Sequence, residues 1–308
     1  MALARAVQFD RYGDRDVLEV REIDVPAPGP RGVTVQIKAA GLNAGEIDLR
    51  TGAMAARFPA SFPSGQGTDL AGVVVAVADD VTEFAVGDEV LGWSWERSSH
   101  AELANIPVEQ LAHKPAALPW DVAGALYGVS ITAWAAVEAV GATYGDLVAV
   151  SAAAGGVGTM VTQLLRMRGA DVVGIASAAN HEWLHSLGAT AVEYGPGLAD
   201  RVRAAISRPV DAFIDLFGPQ YVDLAVELGV ALDRINTIIA FDRAAEVGVK
   251  AVGSESASTS TLLARLADLV ATGQLRIPIV ATYRLADVRA AYAQLEDRHT
   301  HGKIVLIP

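Results

Sequence analysis

The stretch 146-DLVAVSAAAGGVGTMVTQLL-165 decides the fold. It passes from an apolar, strand-like run through a glycine-rich turn into apolar residues at helical spacing. That is the order in which a βα unit offers free backbone N–H groups to a phosphate. Set on the pattern G-x-G-x-x-G, the turn reads Ala153, Gly155, Gly158, with alanine in the first glycine place and an additional Gly156. Within Ala154, Gly155, Gly156, Val157 and Gly158, the first two glycines would admit a pyrophosphate close to the backbone. Gly158 would let the helix pack on the strand. A bare glycine cluster is also plain turn chemistry, so its surroundings carry the inference.

Those surroundings alternate. Strand patterns over 170-ADVVGIAS-177, 189-ATAVEY-194 and 210-VDAFIDLF-217 are separated by helical patterns over 158–169, 180–188 and 198–207. A further strand opens 235-INTIIAF-241. The alternation predicts right-handed βαβ units and a doubly wound parallel sheet, hence an α/β protein. Residues before about 118 show a different texture, short alternating runs broken by Pro and Gly such as 32-GVTVQIKAAGLN-43 and 87-GDEVLGW-93. They predict a β-rich, barrel-like or sandwich-like unit. Helical spacing appears in 118-LPWDVAGALYGVSITAWAAVEAV-140 and returns in 260-STLLARLADLVATG-273.

With 308 residues, 52% hydrophobic and 19% charged, the chain can bury a large core. Its formal charge of -12, from 36 Asp and Glu against 24 Lys and Arg, repels phosphate backbones and argues against a nucleic-acid partner. With no cysteine, disulfides, thiol nucleophiles and Cys-ligated zinc are excluded, and a cytoplasmic setting is expected. No run has the length or continuity of a signal peptide or membrane span, so neither is expected.

At the end of the second strand of a dinucleotide unit, NAD enzymes place an acid on the ribose 2′-hydroxyl. Here 174-GIASAAN-180 has none. Ser177 and Asn180 offer hydrogen bonds to a 2′-phosphate, which favours NADPH. The alternative is that Ser177 merely ends the strand and Asn180 N-caps the next helix.

The segment 181-HEWLH-185 matches the zinc-protease pattern, since His181 and His185 would share a helix face with Glu182 as base. It falls beside the expected adenosine end of a cofactor, without a third ligand or cleft. A solvated helix face packed through Trp183, Leu184 and Leu187 is the simpler expectation.

Several further segments, in order, carry a resemblance: 39-AAGLNAGEIDLRTG-52, 64-SGQGTDLAGVV-74, 125-ALYGVSITAW-134, 177-SAANHEWLHSLGATAVEY-194 and 301-HGKIVLIP-308. With the glycine turn, they make the whole chain resemble the medium-chain dehydrogenase/reductase superfamily, in its zinc-independent NADPH:quinone oxidoreductase branch. The resemblance implies a GroES-like catalytic domain over 1–122 and 275–308 with a Rossmann domain over 123–274 between them. It also implies a homodimer, and a hydride passed from NADPH to a quinone or α,β-unsaturated carbonyl. Gly65-Gln66-Gly67 stands where zinc relatives carry Gly-His-Glu, Ala44 replaces a common proline, and Ala179 stands where relatives often carry Arg or Lys.

By resemblance Asn43 lies beside the nicotinamide ribose and the acceptor, where its amide can donate to an oxygen; "GLNAG" is also good turn chemistry. Thr132 is similar to a cofactor-contacting threonine, although helix threonines commonly only back-bond. Tyr194 would sit near the adenosine phosphate or else pack in the core. Ile239 and Phe241 would lie at strand tips of the doubly wound sheet. Lys303 would reach the cofactor or remain solvated. A non-catalytic NADPH-binding protein on the same fold is the competing functional reading.

Overall fold

A computed structural model describes residues 2–297 and 300–308. In chain order the first elements are β1 (Ala2–Phe9), β2 (Glu19–Val25), β3 (Gly32–Gly41), α1 (Gly45–Thr51), β4 (Ser64–Gly65), β5 (Asp69–Val77) and β6 (Glu89–Trp93). Then come β7 (Leu103–Pro107), β8 (Leu111–His113), α2 (Trp120–Gly124) and α3 (Leu126–Ala139). The alternating segment follows as β9 (Leu147–Val150), α4 (Gly156–Met167), β10 (Asp171–Ala176), α5 (His181–Ser186), β11 (Thr190–Glu193), α6 (Leu198–Ala205), β12 (Ala212–Asp215), α7 (Pro219–Glu227), β13 (Ile235–Thr237) and α8 (Phe241–Val247). The chain continues through α9 (Ser260–Ala271), β14 (Ile279–Arg284), α10 (Val288–Glu296) and β15 (Lys303–Ile307).

The chain forms two compact units, Met1–Gly128 with Thr259–Pro308, and Val129–Ser258. These bounds differ from the sequence-based division over 123–128 and 259–274. Helix α9, N-capped where Thr259 accepts from the Leu262 amide at 3.1 Å, packs beside β8 of the first unit. Helical periodicity shows that a segment has an apolar face; it does not show which sheet that face meets.

The first unit holds a three-stranded sheet in the order β2-β1-β4 and a larger sheet in the order β14-β15-β3-β5-β6-β8, with β7 also on β3. Pairing is antiparallel except between β14 and β15. Alternation along β3 and β5 turns Val33, Val35, Ile37, Leu70 and Val74 into one core with Phe84 and Val90. A second core joins Phe9, Leu42, Leu285, Tyr292, Ile304 and Leu306, so segments from both ends of the numbering close on one another.

The second unit carries five strands in the order β11-β10-β9-β12-β13, all parallel. Its core is continuous through Ala149, Val173, Ile175, Val202, Phe213 and Ile235. Each such fully buried large side chain contributes about 1.5–3 kcal/mol by leaving water. Strand order reverses direction of growth at β9 and β12, so the crevice at their carboxyl ends is the ligand position of a doubly wound sheet. The glycine turn begins there. Fold class therefore stands as read from the sequence: a β-rich unit with a Rossmann-like parallel sheet.

Candidate functional site

In the second unit, β9 ends at Val150 and the turn runs to the start of α4. Ala152 adopts a positive φ of 46°, unusual for a residue with a Cβ and a cost the tight turn must absorb. Its carbonyl accepts from the Gly155 amide at 3.0 Å, and the Ala153 amide donates to Ile175 O at 3.1 Å, which ties the turn to β10. Gly155 is the extended N-cap of α4. The first amides of the helix, at Gly156, Val157 and Gly158, lack intrahelical acceptors by geometry. Ala154 is buried under them.

Ser177 follows β10, and the Asn180 side-chain amide donates to its hydroxyl at 3.0 Å. Asn180 occupies the N-cap place of α5 without a side-chain cap bond, so helix capping does not explain it. No carboxylate belongs to the segment Ser177–Asn180.

The zinc-like segment forms α5, with the His181 and His185 rings 6.3 Å apart. Glu182 and His185 are exposed, but His181 is half-buried with Nε2 lacking a partner, which corrects the picture of a wholly solvated face. The Trp183 indole donates to Thr159 Oγ1 of α4 at 3.3 Å, and Leu184 is fully buried. Among the described residues no group of three His, Asp or Glu could hold a metal ion.

Tyr194 follows β11 and is 46% exposed, so core packing is not its role. Thr132 is half-buried on α3. Ile239 and Phe241 follow β13 as expected, both half-buried. Their segment is anchored by a group the sequence reading missed. Buried Asp215 accepts from Ser151 Oγ at 2.8 Å, from Thr237 Oγ1 at 2.7 Å, and from the Phe217 and Gly218 amides at 2.9 and 3.1 Å. Thr237 Oγ1 in turn accepts from the Ile239 and Ala240 amides. One carboxylate thus fixes the loops at the carboxyl ends of β9, β12 and β13. A lone acid inside the apolar run "FIDLF" was the available signal.

The first unit contains a second polar centre. Asn43 lies between the end of β3 and α1; Asp69 opens β5, Lys303 opens β15, and Gly128 lies in the first turn of α3. Asn43 Nδ2 donates to Asp69 Oδ1 at 2.9 Å and to Glu46 Oε1 at 3.4 Å, while its Oδ1 accepts from Lys303 Nζ at 2.6 Å. Reversing the amide would set its oxygen against two carboxylates and its NH2 against an ammonium, so the neighbours dictate the orientation. This corrects the expected donor role. Both Nδ2 protons are committed, and the valence left is a lone pair on Oδ1.

Lys303 is also corrected. It is neither solvated nor turned outward: it is 4% exposed, and its ammonium donates to Leu42 O at 2.6 Å, Asn43 Oδ1 and Asp69 Oδ2 at 3.3 Å. Burial pushes the Asp69 carboxyl above its usual range, opposed by Lys303, with Glu46 adding to the rise and the Asn43 hydrogen bond reducing it. Glu46 is saturated by the Thr68 and Asn43 amides, at 2.9 and 3.0 Å, and by the Tyr292 hydroxyl at 2.6 Å. Burial first, then the Glu46 charge, hold the Tyr292 phenol well above its ordinary value, so it remains a donor. Gln66 donates to the same hydroxyl at 2.8 Å. Aromatic rings adjoin this centre: Asp69 is the register partner of Trp93, whose ring stacks on Tyr127 at 4.6 Å, and Trp95 meets Tyr127 edge-on at 6.0 Å.

Residues 29–129 match the alcohol dehydrogenase GroES-like domain, and residues 187–306 match a model described as zinc-binding dehydrogenase. A quinone oxidoreductase of Pseudomonas aeruginosa is 29% identical, the alignment covering 99% of this chain and all of that protein. A probable quinone oxidoreductase of Schizosaccharomyces pombe is 28% identical over 98% of this chain and 96% of its own. The solved quinone oxidoreductase from Coxiella burnetii covers both chains in full, with 28% identity and a TM-score of 0.90. Sequence and fold agree along the entire length, and the chain belongs to the medium-chain dehydrogenase/reductase superfamily as an oxidoreductase of the quinone oxidoreductase-like kind.

Proposed function

We propose that the protein is a zinc-independent, NADPH-dependent reductase of quinones or α,β-unsaturated carbonyl compounds. Membership of the superfamily implies a nicotinamide cofactor, and the residues fit one. The turn from Ala152 to Gly158 leaves the start of α4 open to a pyrophosphate, since a Cβ at Gly155 would meet only the Ala152 oxygen, at 3.3 Å. Ser177 and Asn180, without an opposing acid, suit a 2′-phosphate. The donor chemistry does not suit zinc: the chain has no cysteine, and the Asp69 carboxylate is met by the Lys303 ammonium.

The observation that carries an enzymatic reading is the Asn43 amide, held half-buried by two buried acids and a buried lysine. A turn residue needs none of this. When bound, the reduced dinucleotide supplies the hydride. Asn43 then fixes a ligand hydroxyl or N–H through its free lone pair, and the exposed Trp95, backed by the buried Trp93–Tyr127 stack, offers flat apolar surface to a planar acceptor. Tyr292 donates its hydroxyl proton to Glu46 and is no proton source for the acceptor oxygen.

The test is loss of NADPH absorbance against a panel of naphthoquinones, benzoquinones and enones, alongside a fluorescence binding titration. Acceptor-dependent oxidation is expected. Tight NADPH binding with no acceptor reduced would replace this reading with the non-catalytic one.

A further inference from the structure

We infer that Lys303 and Asp69 are positioning residues, which clamp the Asn43 amide so that its oxygen, and not its NH2, faces the ligand. The inference rests on the proposed role of Asn43 and goes beyond it, because it says what sets that residue and which chemistry it can read.

An ammonium has three protons, and Lys303 places all three on protein oxygens, those of Leu42, Asn43 and Asp69. None remains for a phosphate or a substrate. Asp69, fully buried, takes one Asn43 proton and the Gly128 amide on Oδ1 and the ammonium on Oδ2. Burying such a pair is costly, and apolar residues of equal volume commonly serve stability as well; what a buried pair adds is a fixed arrangement. Here the arrangement fixed is the amide of Asn43, bonded on opposite sides by the two partners. The group recognised by Asn43 is therefore a donor, a sugar hydroxyl or a carboxamide N–H of the dinucleotide, and not the carbonyl of the acceptor.

Gly128 supplies an independent handle. A Cβ there would lie 2.6 Å from Asn43 Oδ1 and 2.9 Å from Asp69 Oδ1, so Gly128→Ala displaces the amide without altering a charge. Alanine also suits the helix in which Gly128 sits.

The experiment is a double-mutant cycle on the full chain, measuring kcat, acceptor KM and the NADPH dissociation constant. Asn43→Ala is expected to lower kcat about tenfold and to weaken NADPH binding by up to about tenfold, and Lys303→Met to match it in both. The double variant should lose about tenfold, not a hundredfold. Should Lys303→Met not fold, Gly128→Ala makes the same test: its loss of kcat should vanish when Asn43 is alanine. In the cofactor-free protein, the Asn43 side-chain NH2 should show slow hydrogen exchange, lost in either clamp variant. Multiplying losses, a loss of NADPH affinity in Lys303→Met well beyond that in Asn43→Ala, or an unimpaired Gly128→Ala enzyme would overturn the clamp alone. An Asn43→Ala enzyme with unchanged kcat would instead overturn the role of Asn43 and the clamp with it.

Discussion

The Cα of Gly158 faces the carbonyl oxygen of Ala152 so closely that a Cβ on it would stand 2.2 Å away, with the Ala153 backbone at 2.7 Å. Backbone cannot yield as a side-chain tip can. At Gly155 the nearest atom would be 3.3 Å off. The two glycines therefore do different work. Gly158→Ala should cost about 1–3 kcal/mol of unfolding free energy by overpacking. Gly155→Ala should cost far less, yet weaken dinucleotide binding about tenfold by crowding the phosphate. Urea unfolding with fluorescence titration separates these; equal destabilisation by both would refute the distinction.

Asn43→Asp, although isosteric, should destabilise the first unit more than Asn43→Ala. It replaces two donors by a third carboxyl against Asp69 and Glu46, both buried, with one ammonium to serve all three. Leaving such groups unpaired costs about 1–3 kcal/mol. Thermal and urea unfolding of the two variants check the order, and an Asp variant as stable as wild type contradicts it.

NADPH should bind at least tenfold more tightly than NADH, since one hydrogen bond to the charged 2′-phosphate contributes about 1.5–3 kcal/mol. Ser177→Asp should reverse the preference, because a carboxylate repels the phosphate and accepts from the ribose hydroxyl. Fluorescence titrations of both dinucleotides decide it. Equal affinities in the unmodified protein would contradict the assignment to Ser177 and Asn180.

His100 is fully buried beside Tyr292, with Nδ1 unpartnered, and burial lowers its pKa from 6.5, Lys303 assisting while Glu46 and the Gly41 carbonyl oppose. In the folded state it stays neutral where the unfolded chain takes up a proton. Stability is therefore complete above pH 6.5 and falls as pH drops below it, by at most about 1.4 kcal/mol per pH unit from this group. His301, also lowered by burial, has the same sign. His100→Asn should make stability between pH 6.5 and 5 less steep, whatever its effect on the absolute value. An unchanged slope in urea midpoints would show that His100 does not titrate this way.

The second unit was legible because its signals are local. A strand, Gly155 and Gly158, and a helix lie within twenty residues, and the 2.0 and 3.6 periodicities alternate in order. The centre of the first unit was not. Asn43 was visible through its motif, but its orientation depends on Lys303, 260 residues away, and on Asp69 at 26. A lysine in "GKIVL" carries no mark of burial; its desolvation is tolerable here because an acid from another strand meets it. Tyr292 reaches Glu46 across 246 residues, again beyond any local pattern. Lone acids in apolar runs, Asp69 in "TDLAGV" and Asp215 in "FIDLF", were the readable trace of both networks.

The pairing of β15 with β3 gives the molecule an order of manufacture. On the ribosome, Asp69 and Glu46 emerge long before the ammonium that joins them, and the Ala40–Gly41 end of β3 waits for Val305 and Leu306. The five parallel strands of the second unit, by contrast, are contiguous in the chain and need nothing synthesised later. Chains that end before Lys303 can finish that sheet but lack the ammonium that Asp69 needs in order to be buried at the other centre. A prematurely released chain is thus marked by an unpaired strand edge on β3, the kind of surface that recruits other chains and chaperones.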